Sequence, residues 1–306
     1  MSKVNMAVDL GGIPMKNPVN TASGTFGFGK QFENMMDVSA LGAVTGKGCS
    51  AQPWPGNPQP RMHEVTSGML NSVGLMNPGV RGMVEKYGDY LEALSGKTSV
   101  ICQVAGHSVQ EYVDALALYD ELTPWAAGFE LNISCPNVSK GGAAMGSTPE
   151  GASEVVRECR QVTNRPLVVK LAPTRVPEIA SAVQEAGADA ISLINTIPAM
   201  AIDVDTRRSY LSRPTAGLSG PAIHPIAVRM AWEACNAVTI PVCGIGGIMT
   251  GRDAAEFILV GCTAVSVGMA SMVEPAASIR VLRELEQWAQ SQGVSDISEL
   301  RGAFLC

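Results

Sequence analysis

The chain has few of the residues that mark several large functional classes. Its eight cysteines, from Cys49 to Cys306, are spread over 306 residues with no CxxC pair. That argues against a disulfide framework, a zinc site or an iron–sulfur cluster held by this chain. Only three histidines occur, His63, His107 and His224, without HExxH spacing and with no clear carboxylate partner; structural or solvent-facing roles are expected for them. The 22 Lys and Arg residues are scattered and outnumbered by 28 Asp and Glu, for a net charge of -6, so nucleic acid is not an expected partner. No long apolar run is present. The uncharged stretch 257–273 is interrupted by Gly261, Thr263, Ser266 and Gly268, and it reads as a helix end, a turn and a buried strand rather than a membrane span. The opening residues MSKVNMAVDLGG lack the charged start and apolar stretch of a signal peptide, so a reducing cytoplasm is the expected location. Carboxylates are missing from most candidate strand ends, apart from Asp203 and Asp205 in a long loop, which disfavours a glycosidase acid pair or a metal site.

What the chain does have is 46% hydrophobic residues, 16% charged residues and no shift of composition that would mark a linker. A single domain spanning 1–306 is expected. Short β-branched or small-apolar runs recur at 19–23, 43–45, 99–104, 128–132, 167–171, 190–194, 241–243 and 264–267. Each is followed by a Gly, Asn or Ser loop, and helix-period segments lie at 108–121, from 149 toward 159, at 176–186, and from near 221 to 235. Eight strands alternating with helices predict an α/β fold, a (β/α)8 TIM barrel with its helices outside. Two segments, 46–77 and 195–220, exceed ordinary loop length and are rich in Pro, Gly, Asn and Ser. Long loops at the C-terminal face of such a barrel carry function, so the site is expected beneath them.

The candidate chemistry clusters at those strand ends. The run Val242–Ile248 with a helix start at 250–253 is strand, glycine turn and helix, and Val267-Gly268-Met269 supplies a second glycine after the last strand. Glycine turns let backbone N–H groups approach a phosphate, although tight-turn geometry alone also asks for glycine. Lys170 in VVKLAP ends an apolar strand, where burying an ammonium is costly without a partner. Lys47 in TGKGCS has the same placement, with a solvated loop lysine as the competing reading. Asn71, Asn132, Asn137 and Asn195-Thr196 place amides and a hydroxyl at successive strand ends, a set that pairs with planar imides and carboxylates. Cys135 in NISCPNVS sits where a strand ends, ahead of Pro136, which stops the ladder.

The motifs NTASGTFG, TGKG, SGMLNSVGLMNPG, LNISCPNVSKGG, VVKLAP, ISLINT, GLSGPAIHPIAVRM, PVCGIGGI and AVSVG together resemble dihydroorotate dehydrogenase, over residues 4–285. The resemblance implies FMN and the oxidation of dihydroorotate to orotate in pyrimidine synthesis. It puts the FMN contacts at Ser23, Lys47, Gly48, Gln103, Asn132, Lys170, Ile194, Gly220, Gly246, Gly247, Gly268 and Met269. Orotate contacts fall at Lys47, Asn71, Ser72, Val73, Gly74, Leu75, Asn132, Asn137, Asn195 and Thr196. Cys135 would be the base that takes the C5 proton while hydride leaves C6 for the flavin, with Lys47 assisting. Cysteine at this place, and a start at the first strand, resemble the soluble class. The wording NISCPNVSKGG and TGKGC is more similar to the branch that reaches NAD through a partner subunit with FAD and a [2Fe-2S] cluster, a homodimer within a heterotetramer, than to the fumarate-reducing homodimer. Gln103 stands where the family commonly has asparagine, and Met269 where it has a small residue. Competing readings are a dihydropyrimidine-oxidising flavin barrel, a Schiff-base aldolase using Lys170, and a non-catalytic barrel.

Overall fold

The computed structural model describes residues 4–134 and 145–305. The eight short runs form one parallel sheet: β1 (Val19–Thr21), β2 (Ala43–Thr45), β3 (Ser99–Val104), β4 (Gly128–Asn132), β5 (Leu167–Lys170), β6 (Ala190–Leu193), β7 (Val242–Ile245) and β8 (Ala264–Val267). Ladders join them in chain order from β2 to β8, and β8 pairs with β1. The β1–β2 seam is drawn together largely by side chains. Gly42 N–H donates to Val19 O at 3.0 Å, Asn20 Nδ2 to Thr45 Oγ1 at 2.8 Å, and Thr21 Oγ1 both donates to Thr45 O and accepts from Thr45 N–H at 3.0 Å. The result is the (β/α)8 barrel that the sequence predicts. Ser23, Leu171 and Ile194 lie just past their strands, and β7 runs on to Ile245.

Outward-facing strand residues such as Val100, Phe129, Leu131, Val169, Ile191 and Val265 are buried under the helices. The helices present Leu116 and Tyr119, Val155 and Val156, Ile179 and Val183, Phe257, and Leu285, each such burial contributing roughly 1.5–3 kcal/mol. Helix starts are set by local chemistry. Ser108 accepts from Glu111 N–H ahead of Val109–Leu122, Thr148 from Gly151 N–H ahead of Pro149–Arg160, and Thr250 and Asp253 form a capping box on Gly251–Leu259. Four more helices, Gly79–Ser95, Val176–Glu185, His224–Ala237 and Ala277–Ser291, complete the coat. No described helix is long and apolar enough to cross a membrane.

The barrel interior changes character with height. At the floor a hairpin of Val8–Asp9 and Pro14–Met15 inserts Leu10, Ile13 and Met15 against Ala43, Ile101, Val168, Ala190, Cys243 and Ala264. Side chains of a strand alternate faces, so the next inward position lies two residues on. There the strands carry Thr45, Gln103, Lys170, Ser192 and Ser266, and β4 contributes Glu130 below Asn132, all buried. An apolar plug thus supports a polar layer directly beneath the mouth.

The segments 46–77 and 195–220 are more ordered than their turn-rich composition predicts. Met62–Val65 pairs with Gly68–Asn71, which pairs with Ala216–Ser219, which pairs with Ile197–Ala199. The two excursions therefore join into one four-stranded antiparallel sheet that roofs the barrel mouth. Strands this short hold together only when paired, and pairing such as Asn71 Nδ2 to Gly217 O crosses 146 residues of chain.

Candidate active site

Between roof and barrel lies a cavity of about 920 Å³, at the upper end of the usual range for a ligand site. Ser23, Lys47, Asn71, Ser72, Val73, Gly74, Leu75, Gln103, Asn132, Lys170, Ile194, Asn195, Thr196, Gly220, Gly246, Gly247, Gly268 and Met269 all line it. Gly48 does not. It is buried behind Gln103, whose Oε1 lies 2.5 Å from where a Cβ on Gly48 would stand, so its glycine serves the packing of that side chain. Cys135 and Asn137 lie outside the described residues. Among the described residues no cysteine lines the cavity, and the burial that surrounds Cys243 at the floor pushes its thiol up to about 12.

The amides are placed by backbone and neighbouring groups. Asn132 is held at its carbonyl by Tyr112 Oη (2.6 Å), and its Oδ1 accepts from Ser134 Oγ (2.6 Å). Asn195 Oδ1 accepts from Thr196 N–H at 2.9 Å while its Nδ2 donates to Ser134 O at 3.4 Å. Asn57, which the sequence reading overlooked, braces the loop below the roof, donating from Nδ2 to Ser72 O at 3.1 Å and from its N–H to Val73 O at 3.1 Å. That loop holds Leu75 at φ 56, a left-handed backbone costly for a leucine.

Lys170 is 5% exposed, and its Nζ donates to Ser23 Oγ at 3.4 Å. An ammonium carries three donors, and no other partner for them exists among the described residues. Opposite, the turns after β7 and β8 expose backbone N–H groups. Those of Gly247, Ile248, Gly268 and Met269 make no hydrogen bond among the described residues, and Gly246 and Gly247 hold φ 146 and φ 65, which suits glycine. The helix start that follows adds less than the sequence suggests. Asp253 Oδ2 already accepts from Met249 and Thr250 N–H, and Glu284 Oε2 accepts from Gly251 N–H.

Beneath the mouth lies a carboxylate that the sequence reading passed over within an apolar run. Glu130 is buried, and its oxygens accept from Gln103 Nε2 at 2.5 Å and from Ser192 Oγ at 2.7 Å. Its inward spacing from Asn132 was the available signal. Two of the three histidines, by contrast, do have carboxylate neighbours. His107 Nδ1 lies 3.1 Å from Glu111, and His224 Nε2 lies 3.5 Å from Glu256 while its Nδ1 meets Gly246 O at 2.9 Å. Only the first partner, one helical turn away, could be read from spacing.

The site meets the requirements of a flavin mononucleotide. Partnerless N–H groups in glycine turns suit a phosphate, and a buried ammonium with open donors suits an electron-rich ring edge. The cavity also leaves room for a small heterocycle among the amides. A (β/α)8 barrel with open backbone N–H groups and amides around a roofed cavity at its mouth is thus the class of protein that fold and site define. A family model described as dihydroorotate dehydrogenase matches residues 5–288, and the chain belongs to that family. Among similar proteins are those named dihydroorotate dehydrogenase B (NAD(+)), catalytic subunit, from Geobacter metallireducens, 47% identical over 99% of both chains, and from Geobacter sulfurreducens, 48% identical over 99% of both. The protein of that name from Geotalea uraniireducens is 46% identical over the full length of both.

Proposed function

We propose that this chain is the FMN-bearing catalytic subunit of an NAD-linked dihydroorotate dehydrogenase, a single barrel domain that oxidises dihydroorotate to orotate in pyrimidine synthesis. The observation that carries the reading is the convergence, on one cavity, of the under-satisfied Lys170 ammonium, the open turn N–H groups and the amides Asn71, Asn132 and Asn195. Bound FMN supplies a two-electron acceptor. Gly246, Gly247, Gly268 and Met269 hold its phosphate through backbone N–H, and Lys170, Ser23, Gln103, Ile194 and Gly220 border its ring. Lys47, Asn71, Asn132, Asn137, Asn195 and Thr196, with the loop from Ser72 to Leu75, orient the substrate carboxylate and imide. Cys135 takes the substrate proton. A thiol's ordinary pKa of ~8.5 lies close enough to neutrality for a positioned thiolate to act as base.

Electrons leave through a partner subunit carrying FAD and a [2Fe-2S] cluster, in a cytoplasmic heterotetramer built on a dimer of this chain. The test is anaerobic. Purified protein is yellow, releases FMN on denaturation, and bleaches with dihydroorotate but not with dihydrouracil. The reduced chain is reoxidised neither by NAD alone nor by fumarate, and by NAD once the partner is added. A flavin left oxidised by dihydroorotate overturns the substrate, reoxidation by fumarate overturns the partner, and borohydride trapping of a carbonyl compound on Lys170 in a colourless protein overturns the reaction class.

A further inference from the structure

Glu130 is an ionisable side chain, 4% exposed, inside the barrel. Among the described residues no cation lies within ion-pair distance of it. A buried carboxylate in such a place is tolerated only if hydrogen bonds replace its water. Two do: Gln103 Nε2 at 2.5 Å on one oxygen and Ser192 Oγ at 2.7 Å on the other. Gln103 and Ser192 are themselves 2% and 1% exposed.

We propose that Glu130 is a positioning residue that fixes the polarity of the Gln103 carboxamide, turning its nitrogen to Glu130 and its oxygen away from it, beside Gly48 just past β2. Both Glu130 oxygens act as acceptors, one from the Gln103 amide N–H and one from the Ser192 hydroxyl, and an amide can donate only from its nitrogen. A flipped amide would set two oxygens face to face and forfeit the 2.5 Å bond. The other end of the planar amide then has one direction left. Oε1 lies beside Gly48, 2.5 Å from a Cβ site that only glycine leaves empty, and Gln103 borders the cavity.

The consequence rests on the FMN reading above. The pyrimidine edge of a flavin carries one N–H, at N3, between two carbonyl acceptors. Lys170 can serve only acceptors, so the acceptor for the ring N–H has to come from elsewhere, and a Gln103 oxygen held away from Glu130 would provide it. A carboxamide free to rotate would present oxygen or nitrogen with similar ease and would not discriminate.

The test compares wild type with Glu130→Gln, each reconstituted with FMN labelled with ¹⁵N at N3. Wild type is expected to hold FMN about tenfold more tightly and to slow hydrogen exchange at N3 at least tenfold relative to the variant. Equal N3 exchange in the two proteins overturns the proposal, because a merely structural Glu130 would alter affinity or stability without altering that proton. If wild type binds no FMN, the cofactor reading fails separately. Orientation is then read on the ligand-free wild-type chain, as it is if the variant does not fold, from the Gln103 side-chain amide protons. Slow exchange of those protons supports the clamp, and fast exchange refutes it.

Discussion

Replacing Lys170 by methionine separates a ligand-binding lysine from a structural one, because the two roles predict opposite stability changes. The side chain is 5% exposed, its Nζ has Ser23 Oγ at 3.4 Å, and its remaining donors face the cavity. Without a ligand, the protein carries a desolvated charge with poor compensation, a state that disfavours folding. Methionine matches the length of the stem without leaving a large void, so the FMN-stripped Lys170→Met protein should be as stable as wild type or more stable, by up to about 2 kcal/mol. With FMN the sign reverses. Each charge-assisted hydrogen bond lost costs ~1.5–3 kcal/mol, which lowers FMN affinity about 10- to 150-fold per bond. Urea unfolding of stripped and reconstituted proteins, with FMN fluorescence for affinity, reads both numbers. A stripped variant destabilised by about 3 kcal/mol or more, with affinity for FMN unchanged, would show that Lys170 is a buried partner for the barrel's own polar layer, and would refute the argument.

Three further outcomes follow from the same physics. Cys135→Ser should slow flavin reduction by orders of magnitude at pH 7 and recover in part as pH rises, since a hydroxyl is a far poorer base than a thiol; an unchanged rate at pH 7 removes Cys135 from that role. Gly244→Ala should cost ~1–3 kcal/mol in urea unfolding, because its Cβ would lie 2.2 Å from the ring of the fully buried Phe257. Iodoacetamide at pH 8 should modify Cys235 in the native chain and spare Cys49, Cys102, Cys159 and Cys243. Burial raises the latter four to about 11 or 12 and so leaves almost no thiolate, whereas a hydrogen bond from the Cys262 thiol lowers half-buried Cys235. Peptide mass mapping that finds Cys243 labelled before Cys235 would contradict this.

The barrel was legible because each strand is a short run bounded by turn residues, and because Ser108, Thr148-Pro149 and Thr250 announce their helices. The roof was not. Its strands are three or four residues of ordinary loop composition, and what makes them strands is the meeting of Gly68–Asn71 with Ala216–Ser219, a non-local contact without a local signature. The described site residues that sequence motifs supplied lie at strand ends or in and beside the roof, where both kinds of structure converge. Glu130 escaped notice for a different reason. Within an apolar strand its charge looks like an interruption, and only the alternation of faces reveals that it shares the inward side with Asn132. Gly48, which the motif places at the cofactor, is the one described member of that set that does not line the cavity; its missing side chain leaves room for Gln103.

The glycines after β7 show how far a motif can be trusted. A Cβ on Gly246 would meet Ala227 Cβ at 2.4 Å, and one on Gly247 would meet His224 Cβ at 2.7 Å. Packing alone would therefore demand both residues, whatever binds nearby. The case for an anion rests on the N–H groups of Gly247, Ile248, Gly268 and Met269, which have no partner among the described residues. The helix beyond is already neutralised by the Asp253 and Glu284 carboxylates, so the turns, not the helix end, should hold the phosphate. Asp253→Asn weakens the capping box and should cost about 1 kcal/mol of stability. Because the turn N–H groups are untouched, the preference for FMN over riboflavin should stay within about threefold of wild type, a bound well under one hydrogen bond. Titration of the stripped variant with each flavin measures that ratio, and a tenfold loss of preference would mean that the helix end binds the phosphate after all.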